Sequence, residues 1–261
     1  MSKPAGSGAK SGAAFTIIAA NALSRRANAL AILLGCAAGV ALWCSAAHAC
    51  LARAEPVEIA SQKGTAVTLA DGRVVVLADV LAVGEPASAL PQPATLRTAD
   101  QMDRYGRIVG DLWLGTGDTL SSMSLALLRS GLALVDPAAM PMTCLEAAFD
   151  AERDAEAEAR GLWSDPPLAS ATDPRLDAEA GTYRLVEGRI VSTGETQRTI
   201  YLNFGRDYRT DFTVLVAKSD VDGWDVDLQA LEGQRVRVRG VVEAWNGAMI
   251  RVEHPGQIER R

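Results

Sequence analysis

The chain has 261 residues, 48% of them hydrophobic, and a formal net charge of -6. That length suffices for one large domain or two small ones, each with its own core. The four cations ahead of residue 50 (Lys3, Lys10, Arg25 and Arg26) face no acid there, so the remainder sets 22 of the 26 basic residues against all 32 acidic ones, a net of -10. A surface that acidic excludes general binding to phosphate backbones, which requires a positive field.

The first 49 residues read as an export segment. Residues 1–26 are small, polar and basic, and residues 27–43 run apolar without a charge. Ala47-His48-Ala49 follows, an A-x-A pattern of the kind that signal peptidases accept. The expectation is a signal peptide and a periplasmic or secreted protein. The alternative is an inner-membrane anchor over 27–43, since that run is at the short end of the ~17–25 residues that span a bilayer. Four cysteines stand at positions 36, 44, 50 and 144, and cleavage leaves Cys50 and Cys144, a pair that suggests one disulfide in an oxidising compartment. No spacing matches a metal site, and the two histidines, His48 and His254, are too few for a zinc site.

Beyond the export segment, residues 57–81 alternate as strands around an Asp71-Gly72 turn. Residues 83–94 carry three prolines and read as a loop. A turn at 103–107 leads into a strand at 108–114, and a helix is expected over 119–130, ended by Gly131. A short strand follows at 132–135. Thr143 and Glu146 have the spacing of a capping box for a helix running to Arg160 and stopping at Gly161. The Pro/Asp/Ala stretch 164–180 reads as a linker between a domain over 50–163 and another over 181–261. The second domain shows strands at 183–192, 199–204, 212–217, 235–243 and 248–253, with a loop or short helix at 219–232. Three strands, a helical connection and two strands is the order of an OB-fold. The fold class expected is mainly β with helices (α+β), a barrel followed by a second small five-stranded OB-like barrel.

Three segments of the first domain, in order, carry a resemblance: Asp103-Arg104-Tyr105-Gly106-Arg107 entering a strand, Leu127–Val135, and the long Ala/Glu/Arg helix ending Gly161-Leu162-Trp163. Residues about 57–165 resemble the thermonuclease (staphylococcal-nuclease-like) family. The resemblance implies an OB-type barrel with packed helices and calcium-assisted phosphodiester hydrolysis. In that chemistry carboxylates hold the hard cation, a Glu activates water, and two arginines stabilise charge on phosphate. Position by position, the family's Asp-Gly-Asp-Thr turn falls on Lys63-Gly64-Thr65-Ala66. Its first arginine falls on Val76, its second metal Asp on Leu81 and its Glu on Gly84, with Glu85 adjacent. The second arginine survives as Arg107. The helix that the family places after that Glu is replaced here by the Pro-rich interval.

These departures imply a protein that does not cleave, uses no cofactor, and acts as a binding or envelope-interaction module on a nuclease-type scaffold. An alternative is a rearranged calcium-dependent nuclease using Glu85, Asp79 and Arg107. Arg107 itself also reads as a structural arginine paired with Asp103 or Asp111. A third reading is a single-stranded nucleic-acid binder, because Arg235, Arg237 and Arg239 share one strand face and form, with Tyr201 and Tyr208, a possible platform. Against it, residues 181–261 hold 12 basic and 12 acidic residues, with no net positive field. The acidic run at 150–158 reads as the wet face of a helix, with Glu156 and Arg160 as an i,i+4 pair. The partner classes left are an envelope protein, a single-stranded nucleic acid, or the membrane if the N-terminal segment is uncleaved.

Overall fold

A computed structural model of the chain describes residues 53–82, 93–116, 120–140, 142–207 and 209–261. The expected export segment, the Pro-rich interval at 83–92, Cys50, Glu85 and Tyr208 lie outside the described residues. Residues Cys50–Arg261 form one compact unit.

The first barrel is built from β1 (Arg53–Val57), β2 (Ile59–Lys63), β3 (Ala66–Leu69), β4 (Val74–Val76), β6 (Ala94–Met102) and β7 (Ile108–Leu114). Their order in the sheet is β1-β6-β7-β4-β3-β2. Only Glu58 separates β1 from β2, so one bent strand pairs with β6 at one end and with β3 at the other, closing the sheet on itself. The β4–β7 pair is parallel and the other neighbours are antiparallel. The alternation seen in the sequence is the alternation of burial: Val67, Leu69, Val75, Leu96 and Leu112 face inward and are almost fully buried.

Off the barrel, β5 (Val80–Ala82) pairs with β9 (Ala133–Val135), and β8 (Ser121–Ser122) extends β7. Helix α1 (Met123–Arg129) starts where the Ser122 side chain accepts the Leu125 N–H at 3.2 Å. It begins later than the pattern suggested because Ser121 and Ser122 are used as strand. Helix α2 (Met142–Ala157) begins one residue ahead of Thr143, which therefore stands inside its first turn. Leu145, Ala148, Ala151 and Ala155 are buried, and the three alanines let the helix approach closely. The two helices are clamped at their C-terminal ends. Gly131 and Gly161 both have positive φ, and a Cβ on either would collide with the backbone of the other's segment. The Leu162 N–H donates to the Gly131 carbonyl at 2.9 Å across this contact.

The second barrel repeats the first. Its strands are β11 (Tyr183–Arg189), β12 (Ser192–Glu195), β13 (Thr199–Asn203), β14 (Thr213–Ala217), β15 (Arg235–Ala244) and β16 (Ala248–Val252). The order β11-β15-β16-β14-β13-β12 matches the first barrel strand for strand. A split first strand again closes the sheet, and β14–β16 is again the parallel pair. This is the OB order expected, with β17 (Ile258–Arg260) added beside β15. Within 164–180, β10 (Leu168–Ser170) pairs in parallel with β11, and Ala171 and Leu176 are buried in the second core. The described residues are thus mostly β, with two α-helices.

Each barrel has its own apolar core. A third cluster of Leu134, Ala155, Trp163 and Leu185, with Leu81, Leu162 and Tyr183 packed against it, joins them. Among the described residues no helix is long and apolar enough to cross a membrane.

Candidate functional site

Among the described residues, three of the positions where the thermonuclease resemblance expects charged groups, Thr65, Val76 and Leu81, carry neutral side chains, and a fourth, Arg107, is paired. Thr65 is half-buried in the β2–β3 turn, and its carbonyl accepts the Leu77 N–H at 2.9 Å. Val76 ends β4, half-buried. Leu81 pairs in register with Leu134 and packs against the cluster that joins the barrels. None of these three side chains supplies an anionic ligand or a guanidinium. Among the described residues there is no group of three or more His, Cys, Asp or Glu able to hold a metal ion.

Arg107 lies at the tip of the β6–β7 hairpin. Its Nε donates to Asp103 Oδ2 at 2.6 Å, and Asp103 Oδ1 accepts the N–H groups of Tyr105 and Arg107 at 2.9 Å each. The Arg107 guanidinium also lies over the exposed Tyr105 ring, 5.2 Å from its centre. Asp103, rather than Asp111, is therefore its carboxylate partner.

Asp111 is deeply buried on β7, beneath α1. Its Oδ1 accepts the Leu112 N–H at 2.8 Å and lies 3.3 Å from Ser124 Oγ. The same Oγ is 2.8 Å from Oδ1 of Asp79, in the turn between β4 and β5. Burial first, and the Asp79 charge second, push the Asp111 carboxyl up to about 7. Burial also raises Asp79, against the pull of the Ser124 hydrogen bond.

The arginines of β15 do share one face, as alternation requires, and that face meets the first barrel. Arg239 is fully buried: Nη2 donates to Glu152 Oε2 at 2.8 Å, and Nη1 to Glu152 Oε1 and the Val135 carbonyl at 3.2 Å each. It also pairs with Glu259 and lies over the Phe149 ring. Burial alone would lower its pKa, but the charges of Glu152 and Glu259 outweigh that and raise it. Arg237 forks onto Glu156, at 2.8 and 2.5 Å, and reaches Glu187 at 2.8 Å. Arg235, at the strand end, is exposed and lies 3.5 Å from Glu187. Two of the three arginines are consumed in holding the barrels together. The acidic face of α2 needs the matching correction: Glu152 is buried, Glu156 is turned to Arg237, and Arg160 pairs with Glu158.

Tyr201 belongs to a different face. It stands on β13 beside Trp245, with near-parallel rings 6.4 Å apart. Trp245 is half exposed and escaped notice in the sequence because a lone aromatic in the β15–β16 turn has no periodic signal. The Glu152 and Glu156 partners of the arginines were equally unreadable, since they are more than eighty residues away. A shallow pocket of about 220 Å³ at the first barrel's mouth is lined by Leu96, Thr98, Gln101, Met102 and Ile108 and rimmed by the Glu55–Arg73 ion pair. Cys144 sits half-buried in the first turn of α2 and is not without a partner.

No curated protein matches the chain. Residues 87–165, from the approach to β6 through both helices, match the family model described as Staphylococcal nuclease homologue, so this part of the chain is similar to that family.

Proposed function

We propose that this chain is an exported, non-cleaving thermonuclease-like protein that acts as a binding or envelope-interaction module. The observation that carries the reading is the chemistry at three positions: Thr65 and Leu81 where the family resemblance expects metal carboxylates, and Val76 where it expects a phosphate-binding arginine. Leu81 adds weight, because its side chain is engaged in the cluster between the barrels. A carboxylate there would have to leave an apolar contact to meet a cation. Arg107 remains but is held by Asp103. Fold and activity separate in this way because activity resides in side chains grafted onto the barrel.

The export reading rests on the basic, apolar and A-x-A segments of residues 1–49, with the periplasm or the outside as destination and an anchor over 27–43 as the alternative. In the same reading Cys144 is bonded to Cys50, just ahead of β1.

The test is incubation of the purified full chain with plasmid and single-stranded DNA, with calcium and with a chelator. The expected result is no cleavage above background in either. Calcium-dependent cleavage that disappears in Arg107→Ala would overturn the reading in favour of a rearranged nuclease. Salt-dependent retention of single-stranded DNA without cleavage would make the bound partner a nucleic acid.

A further inference from the structure

We propose that Asp79 and Asp111 share one proton around the Ser124 hydroxyl at neutral pH, and that losing it as pH rises loosens β5 and the contact between the barrels.

The geometry poses a counting problem. Ser124 Oγ lies within hydrogen-bond distance of one oxygen of each carboxyl, 2.8 Å from Asp79 and 3.3 Å from Asp111. A hydroxyl has one hydrogen to donate, and an ionised carboxylate can only accept. With both acids ionised, one of them would face the oxygen of Ser124 with no hydrogen between them. A proton on either carboxyl resolves this, since the hydroxyl then donates to one and accepts from the other.

The surroundings favour that proton. Asp111 is buried, and its remaining contacts are neutral N–H groups of Leu112 and Ser124 and the Ser122 hydroxyl. Asp136, after β9, bonds through its N–H to the Asp79 carbonyl at 3.0 Å, and its own charge adds a further repulsion. The cation nearest in register is Arg97, opposite Asp111 on β6. Its guanidinium lies over the Trp113 ring, 4.6 Å from the centre. Among the described residues, the turn before β5, β7, β8, α1 and the segment after β9 present three acids and two hydroxyls; the cations are Arg97, opposite Asp111, and Arg239 and His254, whose charges act on Asp136.

The mechanical consequence follows from where Asp79 sits. It is the residue before β5, and β5 carries Leu81 into the cluster of Leu134, Trp163 and Leu185 that bridges the barrels. Two like charges around one hydroxyl repel, and Asp79 stands half-buried on a turn whereas Asp111 stands within β7. A carboxyl raised from the usual 3.8 to about 7 holds its proton in the folded chain at pH values where the unfolded chain has released it. Stability contributed by that proton is complete at low pH and is lost as pH rises through the folded value.

The experiment is thermal unfolding of the full chain at about pH 5.5 and about pH 8, with hydrogen exchange at the β5 amides as the local readout. The wild type is expected to melt ~5 °C or more lower at the higher pH. Asp111→Asn keeps a neutral side chain of the same shape, so it is expected to lose that difference and to match or exceed the wild type at high pH. Comparing slopes isolates this pair from other titrating groups such as His254. Asp79→Asn relieves the same repulsion and carries the comparison if Asp111→Asn does not fold. A flat wild-type profile, or an unchanged slope in the asparagine variants, would overturn the proposal. So would stabilisation by calcium at high pH that vanishes in Asp111→Asn, because the pair would then be a cation site.

Discussion

Truncating Arg239 to alanine should be among the most damaging single changes in this molecule. The guanidinium is fully buried and holds Glu152, itself almost without exposure, by two hydrogen bonds; a third goes to the Val135 carbonyl. Alanine leaves Glu152 buried with only the Val135 N–H, at 2.8 Å, as compensation. Breaking a buried pair from one side costs ~3–5 kcal/mol, because the surviving charge stays out of water. For a unit of this size that corresponds to a fall in melting temperature of roughly 10 °C. The double variant Arg239→Met with Glu152→Gln removes the two most buried charges and leaves Glu259, the more exposed partner, to solvent; it should recover at least half of the loss, since replacing both members of a buried pair is close to neutral. The assay is urea or thermal unfolding of wild type, both single variants and the double. Because the pair lies between the barrels, Arg239→Ala should also split one cooperative transition into two. A loss below ~1 kcal/mol would place Arg239 in the class of exposed pairs and refute the argument.

Leu81→Asp, which restores the carboxylate that the family resemblance expects, should destabilise the chain by ~2–4 kcal/mol by placing a charge against the inter-barrel cluster, and denaturant titration measures it. Cys144→Ser should lower stability by about 4 kcal/mol or somewhat less, the chain-entropy value for closing a loop of nearly a hundred residues, and non-reducing mass spectrometry of the exported protein should find Cys144 joined to Cys50. Two free thiols would remove that contribution.

Local regularities were legible in the sequence. Alternation in 57–77 and 183–253 marks strands because each barrel has one wet and one dry side, and Asp71-Gly72 marks a turn because Gly72 has positive φ. Gly131 was read as a helix stop, which it is, whereas α2 ends at Ala157, with Ala159 taking the positive φ, ahead of the expected stop at Gly161; the role of both glycines as the contact between two chain segments has no local signature. Long-range pairing was not legible. Alternation put Arg235, Arg237 and Arg239 on one face, yet nothing in composition says whether such a face meets water, nucleic acid or Glu152 and Glu156. The Pro and Asp content of 164–180 suggested an open linker, while three residues of strand and the buried Ala171 and Leu176 are too short a pattern to stand out. Asp111 was read only as a possible partner for Arg107, because its burial comes from α1 folding over it.

The contact between barrels has a consequence for the order in which the chain can fold. Glu152 and Glu156 lie on α2, but their arginines arrive 87 and 81 residues later, and Arg261, 3.4 Å from Glu156, follows it by 105 residues. A chain emerging from its N-terminus completes the first barrel's sequence while these carboxylates have no cation to meet. Until β15 arrives they must stay hydrated, so α2 cannot settle into its final surroundings and the early barrel remains loosely finished. Contacts of such separation form late and slowly. The final tightening of the first barrel is therefore a late event of maturation, governed by completion of the second.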